Sequence, residues 1–142
     1  MTIPARIAAI LLPVLVAGCA APGAADRAGS LGGTAWQAIR LSDGTVPDDP
    51  SRLTVVFGAD GRAIVRADCN RGSGTWQSSG PGRLTFGPVA TTKMGCPPGS
   101  LGDRFLADLT RAGGYSAGAD RLEIAIPNAS GRLVLRPARA QP

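Results

Sequence analysis

The chain of 142 residues contains no histidine and a single glutamate, Glu123. Without an imidazole base, hydrolases of the Ser-His-Asp or Cys-His kind are excluded in their usual form. Carboxylate chemistry has little support, because the strand pattern directs Glu123 towards solvent, and Asp48 and Asp49 occupy a proline-flanked turn. We therefore expect a protein that is not an enzyme and binds no cofactor. The competing enzyme hypothesis requires polar side chains to meet in a cleft without histidine.

A membrane-spanning run and a basic run are also missing. The main apolar stretch, residues 7–16, is too short to span a bilayer as a helix. The formal net charge of +5 comes largely from arginines that are spread along the chain. Because no basic run with interleaved aromatic residues occurs, nucleic acid is not expected as a partner. Weak attraction to anionic lipid headgroups is compatible with this charge.

The N-terminus has the three-part layout of a secretory signal. Arg6 provides a basic start, the apolar residues 7–16 follow, and Val-Ala-Gly precedes Cys19. A cysteine at this point is typical of a lipoprotein signal, because its thiol can take a diacylglycerol before cleavage. We predict a signal peptide at 1–18 and lipidation of Cys19. The alternative is an ordinary signal with an incidental cysteine.

The rest of the chain is divided by composition into a tether, one domain and a short tail. Residues 19–30 hold the anchor cysteine and are rich in Ala, Gly and Pro, which predicts a flexible tether reaching about 20 Å. Residues 31–137 are enough for one domain with its own core. Residues 138–142 form the C-terminal tail. Several acyl chains on Cys19 would give durable anchoring without a spanning helix.

Two cysteines remain once Cys19 is assigned to the lipid. Cys69 and Cys96 then share a compartment that permits oxidation, so we predict a disulfide between them. The bridge would close a loop of about 28 residues and stabilise the fold by about 3.5 kcal/mol. The alternative is two separate buried thiols. Two thiolates without histidine do not make a structural zinc site, so no metal is expected.

From residue 31 onward the sequence predicts short strands separated by turns. The β-forming segments are 34–41, 53–57, 63–67, 72–76, 83–86, 89–93, 115–117, 122–126 and 133–135. The clearest hairpin turn is ADGR at 59–62. In the first strand the candidate inward residues are Trp36, Leu41 and either Ala38 or Ile39, because the alternation is imperfect.

One helix is predicted at 101–112, between Pro97-Pro98 and Gly113-Gly114. Ser100 is the expected N-cap, with Asp103 at the capping-box position. The apolar face comprises Leu101, Phe105, Leu109 and Ala112, with Leu106 at its edge, and the residues placed elsewhere are Asp103, Arg104, Asp108 and Arg111. Strands, one helix and further strands predict a single small α+β domain. Its antiparallel, barrel-like sheet (a cracked barrel) would wrap the α-helix.

Three sequence blocks resemble the META domain family, which includes the HslJ-like heat-shock lipoproteins. The blocks are LGGTAW at 31–36, DCNRGSGTW at 68–76 and ATTKMGC at 90–96. In that family a Cys-Asn pair, a Gly and an aromatic residue precede a Thr-x-Met-Ala-Cys block. This chain has Asp68 where the family usually has Gly, and Gly95 where it has Ala. If the first position needs a positive φ, aspartate tolerates it better than most residues do.

The matching residues are interpreted first as parts of a scaffold. Asn70 can hydrogen-bond the neighbouring backbone and hold a turn, and Gly74 permits close approach of another chain segment. A functional hypothesis for the same region is a small binding groove beside the disulfide. The residues proposed to line that groove are Asn70, Arg71, Thr92 and Lys93.

The resemblance implies a non-enzymatic, lipid-anchored cell-envelope protein in envelope maintenance or in stress and antibiotic tolerance. Because Ala20 rather than Asp follows the anchor cysteine, we expect the outer membrane, with the domain facing the periplasm. A second hypothesis is a binding or docking module for an apolar ligand, or for a secretion or outer-membrane partner, as in pilot lipoproteins. It predicts a cavity between sheet and helix, whereas the first predicts that Phe105 and Leu109 fill the core.

Overall fold

The computed structural model describes residues 31–80 and 82–139. The predicted signal peptide at 1–18, the anchor and tether at 19–30 and the end of the tail at 140–142 lie outside these residues. Within the described ranges, no helix is both long enough and apolar enough to cross a membrane.

The described part of the chain contains nine β-strands and one α-helix. The strands are β1 (Ala35–Arg40), β2 (Leu53–Phe57), β3 (Arg62–Ala67), β4 (Asn70–Gln77), β5 (Thr85–Phe86), β6 (Ala90–Thr91), β7 (Gly114–Ala117), β8 (Leu122–Ala125) and β9 (Arg132–Pro137). The helix α1 (Gly102–Thr110) lies between β6 and β7, and a short 3-10 helix (Pro50–Arg52) precedes β2. Each predicted strand is present, although β5 and β6 are shorter than expected.

The strands form one antiparallel sheet that curls into a nearly closed barrel. The strand order is β5-β4-β3-β2-β1-β9-β8-β7, and β6 pairs separately with β4. The two ends of this order meet where the N–H of Tyr115 in β7 donates to the carbonyl of Gly82, just before β5, at 2.9 Å. This architecture confirms the predicted cracked barrel with one helix.

The apolar face of α1 fills the barrel. Phe105 and Leu109 have no exposed surface, and they belong to one cluster with the inward residues of the sheet. In β2, for example, every second residue is buried. A side chain with no accessible surface borders no cavity that could admit a water molecule, so the core beside these two residues is filled.

The imperfect alternation of β1 has a structural cause. Trp36 and Ala38 are buried, the register with β9 then shifts between Ala38 and Arg40, and Leu41 is buried again. A bulge of this kind adds one residue to the strand, which leaves Ile39 only half-buried. Ala38 is therefore the inward residue of the two candidates.

The helix is shorter than the predicted range of 101–112. It begins one residue later, with Leu101 rather than Ser100 at the N-cap position. The Ser100 hydroxyl still accepts a hydrogen bond from the first helical N–H at 3.3 Å. At the other end, the N–H of Ala112 donates to a carbonyl only three residues back, at 3.1 Å. This tighter last turn ends the α-helical pattern early.

Asp108 departs from the predicted polar face of the helix. It is only 6% exposed, and its carboxylate accepts hydrogen bonds from the backbone N–H of Ser42 at 2.8 Å and from the Ser42 hydroxyl at 2.6 Å. The loop after β1 thus satisfies a buried charge on α1. Asp108 lies seven residues after Leu101, at the border of the apolar face, but the helical pattern could not indicate its partner, which lies 66 residues away in the chain.

Candidate functional site

A surface groove of about 430 Å³ opens beside the disulfide. Its walls are the start of β4, the segment 91–96 and the first turn and a half of α1. The lining side chains that carry polar or sulfur atoms include Asn70, Thr92, Lys93, Met94, Cys96 and Asp103.

The disulfide joins Cys69 to Cys96, with their Cα atoms 5.6 Å apart. It ties the turn between β3 and β4 to the segment that leads into α1. Both cysteines are half-buried. The bridge therefore forms part of the groove wall, where it restrains two segments that share little apolar contact.

The turn that carries Cys69 depends on Asp68. This residue has φ 61°, the left-handed conformation that the sequence analysis considered for it. Its side chain is nearly buried and forms an ion pair with Arg52. Its backbone N–H donates to the Arg52 carbonyl at 2.8 Å. Aspartate thus replaces the usual family glycine with a side chain that has a specific partner.

The side-chain amide of Asn70 connects the two walls of the groove. Its Oδ1 accepts from the N–H of Met94 at 2.7 Å and from the hydroxyl of Thr92 at 2.9 Å. Its Nδ2 donates to the Met94 carbonyl at 3.2 Å and lies 3.4 Å from the Cys96 sulfur. These contacts reach a distant segment, whereas the sequence analysis expected bonds to the neighbouring backbone. They use the full hydrogen-bonding capacity of the amide, so Asn70 holds the groove together.

Glycines allow the groove walls to approach closely. A Cβ atom at Gly72 would lie 2.5 Å from the Ala90 carbonyl oxygen, and one at Gly74 would lie 2.9 Å from that of Pro88. At the start of α1, a Cβ on Gly102 would lie 2.6 Å from a carbonyl oxygen of β3. These positions therefore exclude larger side chains, as expected for Gly74.

The structure brings together three of the four proposed groove residues. Asn70, Thr92 and Lys93 line the groove, but Arg71 does not. Side chains alternate along a strand, so Arg71 projects from the other face of β4 into a separate cleft. The sequence analysis did not place Asp103 in the groove, because only tertiary packing sets the helix start against the disulfide.

The groove presents groups that can contact a bound molecule through charge and through an exposed thioether. It offers the ammonium group of Lys93, the carboxylate of Asp103 and the thioether of Met94, which is 62% exposed. Among residues 31–80 and 82–139, no group of three His, Cys, Asp or Glu side chains could hold a metal ion.

Two of the three carboxylates considered for catalysis make structural contacts elsewhere. Glu123 accepts from Arg121 Nε at 2.6 Å. Asp49 caps the 3-10 helix by accepting from the hydroxyl and N–H of Ser51 at 2.6 and 3.0 Å. These bonds, the hydroxyl first, hold the pKa of Asp49 below its ordinary value.

A sequence model of the META domain matches residues 29–140. The chain belongs to the META domain family. The matched range includes every strand and the helix described above. Two of the three blocks that carry the resemblance contribute to the walls of the groove, and they contain both cysteines of the disulfide. The groove is therefore the part of this META domain in which the family motifs are concentrated.

Solved structures with the same fold include an NMR structure of a protein from Burkholderia xenovorans, with TM-score 0.61 and 24% identity over 96% of this chain and 99% of that one. A second NMR structure has TM-score 0.60 and 22% identity, covering 76% and 92% of the two chains. A crystal structure of a DUF4847 family protein from Bacteroides vulgatus has TM-score 0.54 and 16% identity, covering 75% and 93%. At these identities the likeness concerns the fold of the META domain alone. No curated protein matches the chain.

Proposed function

We propose that this META domain protein is a lipid-anchored protein of the cell envelope, acting without catalysis in envelope maintenance or in tolerance of stress and antibiotics. The cysteines carry the proposal. The chain has three, and because Cys69 and Cys96 are paired in the fold, Cys19 is the one left over. It directly follows Val-Ala-Gly at the end of an apolar stretch. With Ala20 next, the domain would face the periplasm from the outer membrane.

The mass of the intact mature protein tests the anchor. A chain that begins at an acylated Cys19 is heavier by its acyl groups, and a formed bridge makes it two hydrogens lighter. Cys19→Ala should remove the acyl mass and release the protein from the outer-membrane fraction. The matched control, Cys69→Ala with Cys96→Ala, should keep the acyl mass. Wild-type protein without added mass would contradict the proposal.

The physiological role is tested separately in a deletion strain. Survival of heat and of antibiotics should fall in that strain, and the wild-type chain should restore it. Cys19→Ala should restore it poorly, because the domain would no longer be held at the membrane. Full restoration by this variant would show that the role does not depend on the anchor.

Docking of a protein partner is the second candidate function, and the groove favours it. Lys93 and Asp103 carry opposite charges there, and Met94 is an exposed, adaptable apolar side chain between them. An apolar ligand between sheet and helix has less support, because Phe105 and Leu109 have no exposed surface.

Site-specific photocrosslinking in cells tests docking in the groove. A photoreactive residue at Met94 should give a defined adduct with a secretion or outer-membrane protein. The same residue at Val46 is the matched control, because both side chains are 62% exposed but only Met94 borders the groove. Equal adducts at both positions would indicate random collision, and no adduct at Met94 would argue against docking.

A further inference from the structure

The outer face of the sheet carries a row of five polar side chains, three of them arginines, across five neighbouring strands. Strand pairing places Arg71 of β4 opposite Arg66 of β3, and Arg66 opposite Thr54 of β2. The row continues through Gln37 of β1 to Arg136 of β9. Neighbouring strands lie about 4.8 Å apart, so the row extends over about 19 Å.

In the described part of the chain no carboxylate is ion-paired with this row, although the charge of Arg66 reaches Asp49 and adds to the hydrogen bonds that lower the pKa of that residue. Arg66 and Arg71 face each other directly, and like charges in that position destabilise a sheet. The cleft of about 340 Å³ that they line also contains Arg139 and no acidic residue. Among the described residues, the ion pairs do not involve these arginines. Arg66 has partial compensation, since its Nε also donates to the Asp68 carbonyl at 3.4 Å. A like-charge pair without an ion-paired carboxylate is nevertheless better explained by an anionic partner than by the stability of the fold.

A second arginine-rich cleft on the same barrel shows the contrast. Arg121 and Arg132 line it together with Glu123, which lies 2.6 Å from the first and 4.0 Å from the second. Here the protein supplies its own counter-charge. The cleft of Arg66 and Arg71 therefore stands out by its missing carboxylate and not by its arginines alone.

An apolar row runs beside the arginine row. It lies two residues away from the arginine row on each strand. Ala35 of β1 pairs there with Val56 of β2, and Val56 pairs with Ile64 of β3, which is 55% exposed. The two rows are about 6.7 Å apart. A basic row beside an exposed apolar row matches the bilayer interface, where arginines reach phosphates and apolar side chains enter the acyl boundary.

We propose that this face of β1 to β4 docks the domain onto a bilayer surface rich in anionic phospholipids. The arginine row lies along the phosphate groups, and Ile64 enters the interface. The inference rests on the proposed lipid anchoring, because a domain tethered to the bilayer meets its surface at a high effective concentration. Asn70 and Arg71 line different cavities, so docking through Arg71 leaves the groove open.

The test uses the protein without residues 1–19, which retains the whole described core and the disulfide. Each variant is first checked for the bridge and for cooperative unfolding. Co-sedimentation with phosphatidylglycerol-containing vesicles should show binding that is lost at about 1 M salt. Arg66→Ser with Arg71→Ser should lower the partition coefficient about 30-fold, since each arginine near the surface contributes about fivefold. The charge-matched control, Arg83→Ser with Arg111→Ser, should change it by less than about twofold.

A third variant separates a membrane from a soluble anion. Ile64→Ser should weaken vesicle binding about fivefold, because the exposed isoleucine no longer enters the interface. Equal binding to pure phosphatidylcholine vesicles, equal losses in the two double variants, or no vesicle binding would overturn the proposal. So would competition by millimolar inorganic phosphate together with no effect of Ile64→Ser. These results do not depend on Cys19, so failure of the anchor appears only in the intact mass.

Discussion

β3 and β4 are neighbours in the sheet, yet different forces hold them in place. β3 buries Ala63, Val65 and Ala67 on one face, whereas β4 buries none of its eight residues. β4 packs Trp76 against the core, and it is held besides by close glycine contacts, by the Asn70 amide and by the disulfide at its start. Apolar burial accepts many side chains of similar volume, but these contacts each need one particular group. This explains why two of the three META blocks lie along β4 and its partner segment.

The largest loss of stability is expected when a fully buried side chain of the barrel core is truncated. Phe105→Ala should lower the free energy of unfolding by about 3 to 5 kcal/mol, because a fully buried ring leaves a cavity. Chemical denaturation measures the loss. Leu106→Ala, at the half-buried edge of the helix, is the control and should cost about 1 kcal/mol. Similar losses would show that the helix does not fill the barrel as described.

Among the contacts that hold β4, the disulfide should contribute most to the free energy of unfolding. Cys69→Ser with Cys96→Ser should lower the free energy of unfolding by about 3.5 kcal/mol, because the unfolded chain gains freedom. Reduction of the wild-type protein should reproduce this loss, and the double variant should not respond to reductant. A wild-type protein that is indifferent to reductant would mean that other contacts hold β4.

Asp108→Ala tests the buried charge that joins the helix to the loop after β1. It should cost about 3 kcal/mol, because two charge-assisted bonds to Ser42 are lost and their donors remain buried. Asp103→Ala, which removes an exposed carboxylate from the same helix, should cost less than about 0.5 kcal/mol. A double-mutant cycle with Ser42→Ala should show positive coupling between the two sites. Additive effects would contradict the bond.

Asn70→Ala should cost about 2 kcal/mol, because a half-exposed amide loses its bonds to the segment 92–96. Asn70→Asp should recover part of this, since it keeps the two accepting contacts but places a carboxylate oxygen near the Met94 carbonyl. Thermal unfolding of both variants is measured under oxidising conditions, which keep the disulfide intact, so that the loss of stability reports on the amide alone. A loss of less than about 0.5 kcal/mol for Asn70→Ala would contradict the role of the amide.

The smallest effect concerns acid. The N–H and hydroxyl of Thr45 lower the pKa of Asp43, and those of Ser51, the hydroxyl first, lower the pKa of Asp49. As the pH falls, the unfolded chain takes up protons first, so this stabilisation is present above about pH 4 and is lost below it. Urea unfolding between pH 6 and 3 should show a shallower decline for Asp43→Asn with Asp49→Asn. An identical decline would contradict the lowered pKa values.

Local patterns and contacts between distant segments also differ in how well they can be predicted from the sequence. The turn at 59–62 and the strands on either side of it were predicted correctly, because alternation and turn residues are local signals. Two of the predictions that failed depend on distant partners: Asp108 was placed outside the apolar face of the helix, and Asn70 was expected to bond its own turn. Two others failed for local reasons, since strand alternation sets Arg71 on the face of β4 opposite to Asn70, and a tighter last turn ends the helix before residue 112.

Neighbouring residues alone predict the order of strands and helix along the chain, the apolar faces and the family, because each of these depends on a local pattern. Which charges are satisfied depends on the fold. The fold placed Ser42 on Asp108, set the helix start against the disulfide, and set Arg66 opposite Arg71 with no ion pair. Ion pairing and hydrogen bonding act over a few ångströms between segments far apart in the chain, and only helix packing and strand register together bring those segments into contact.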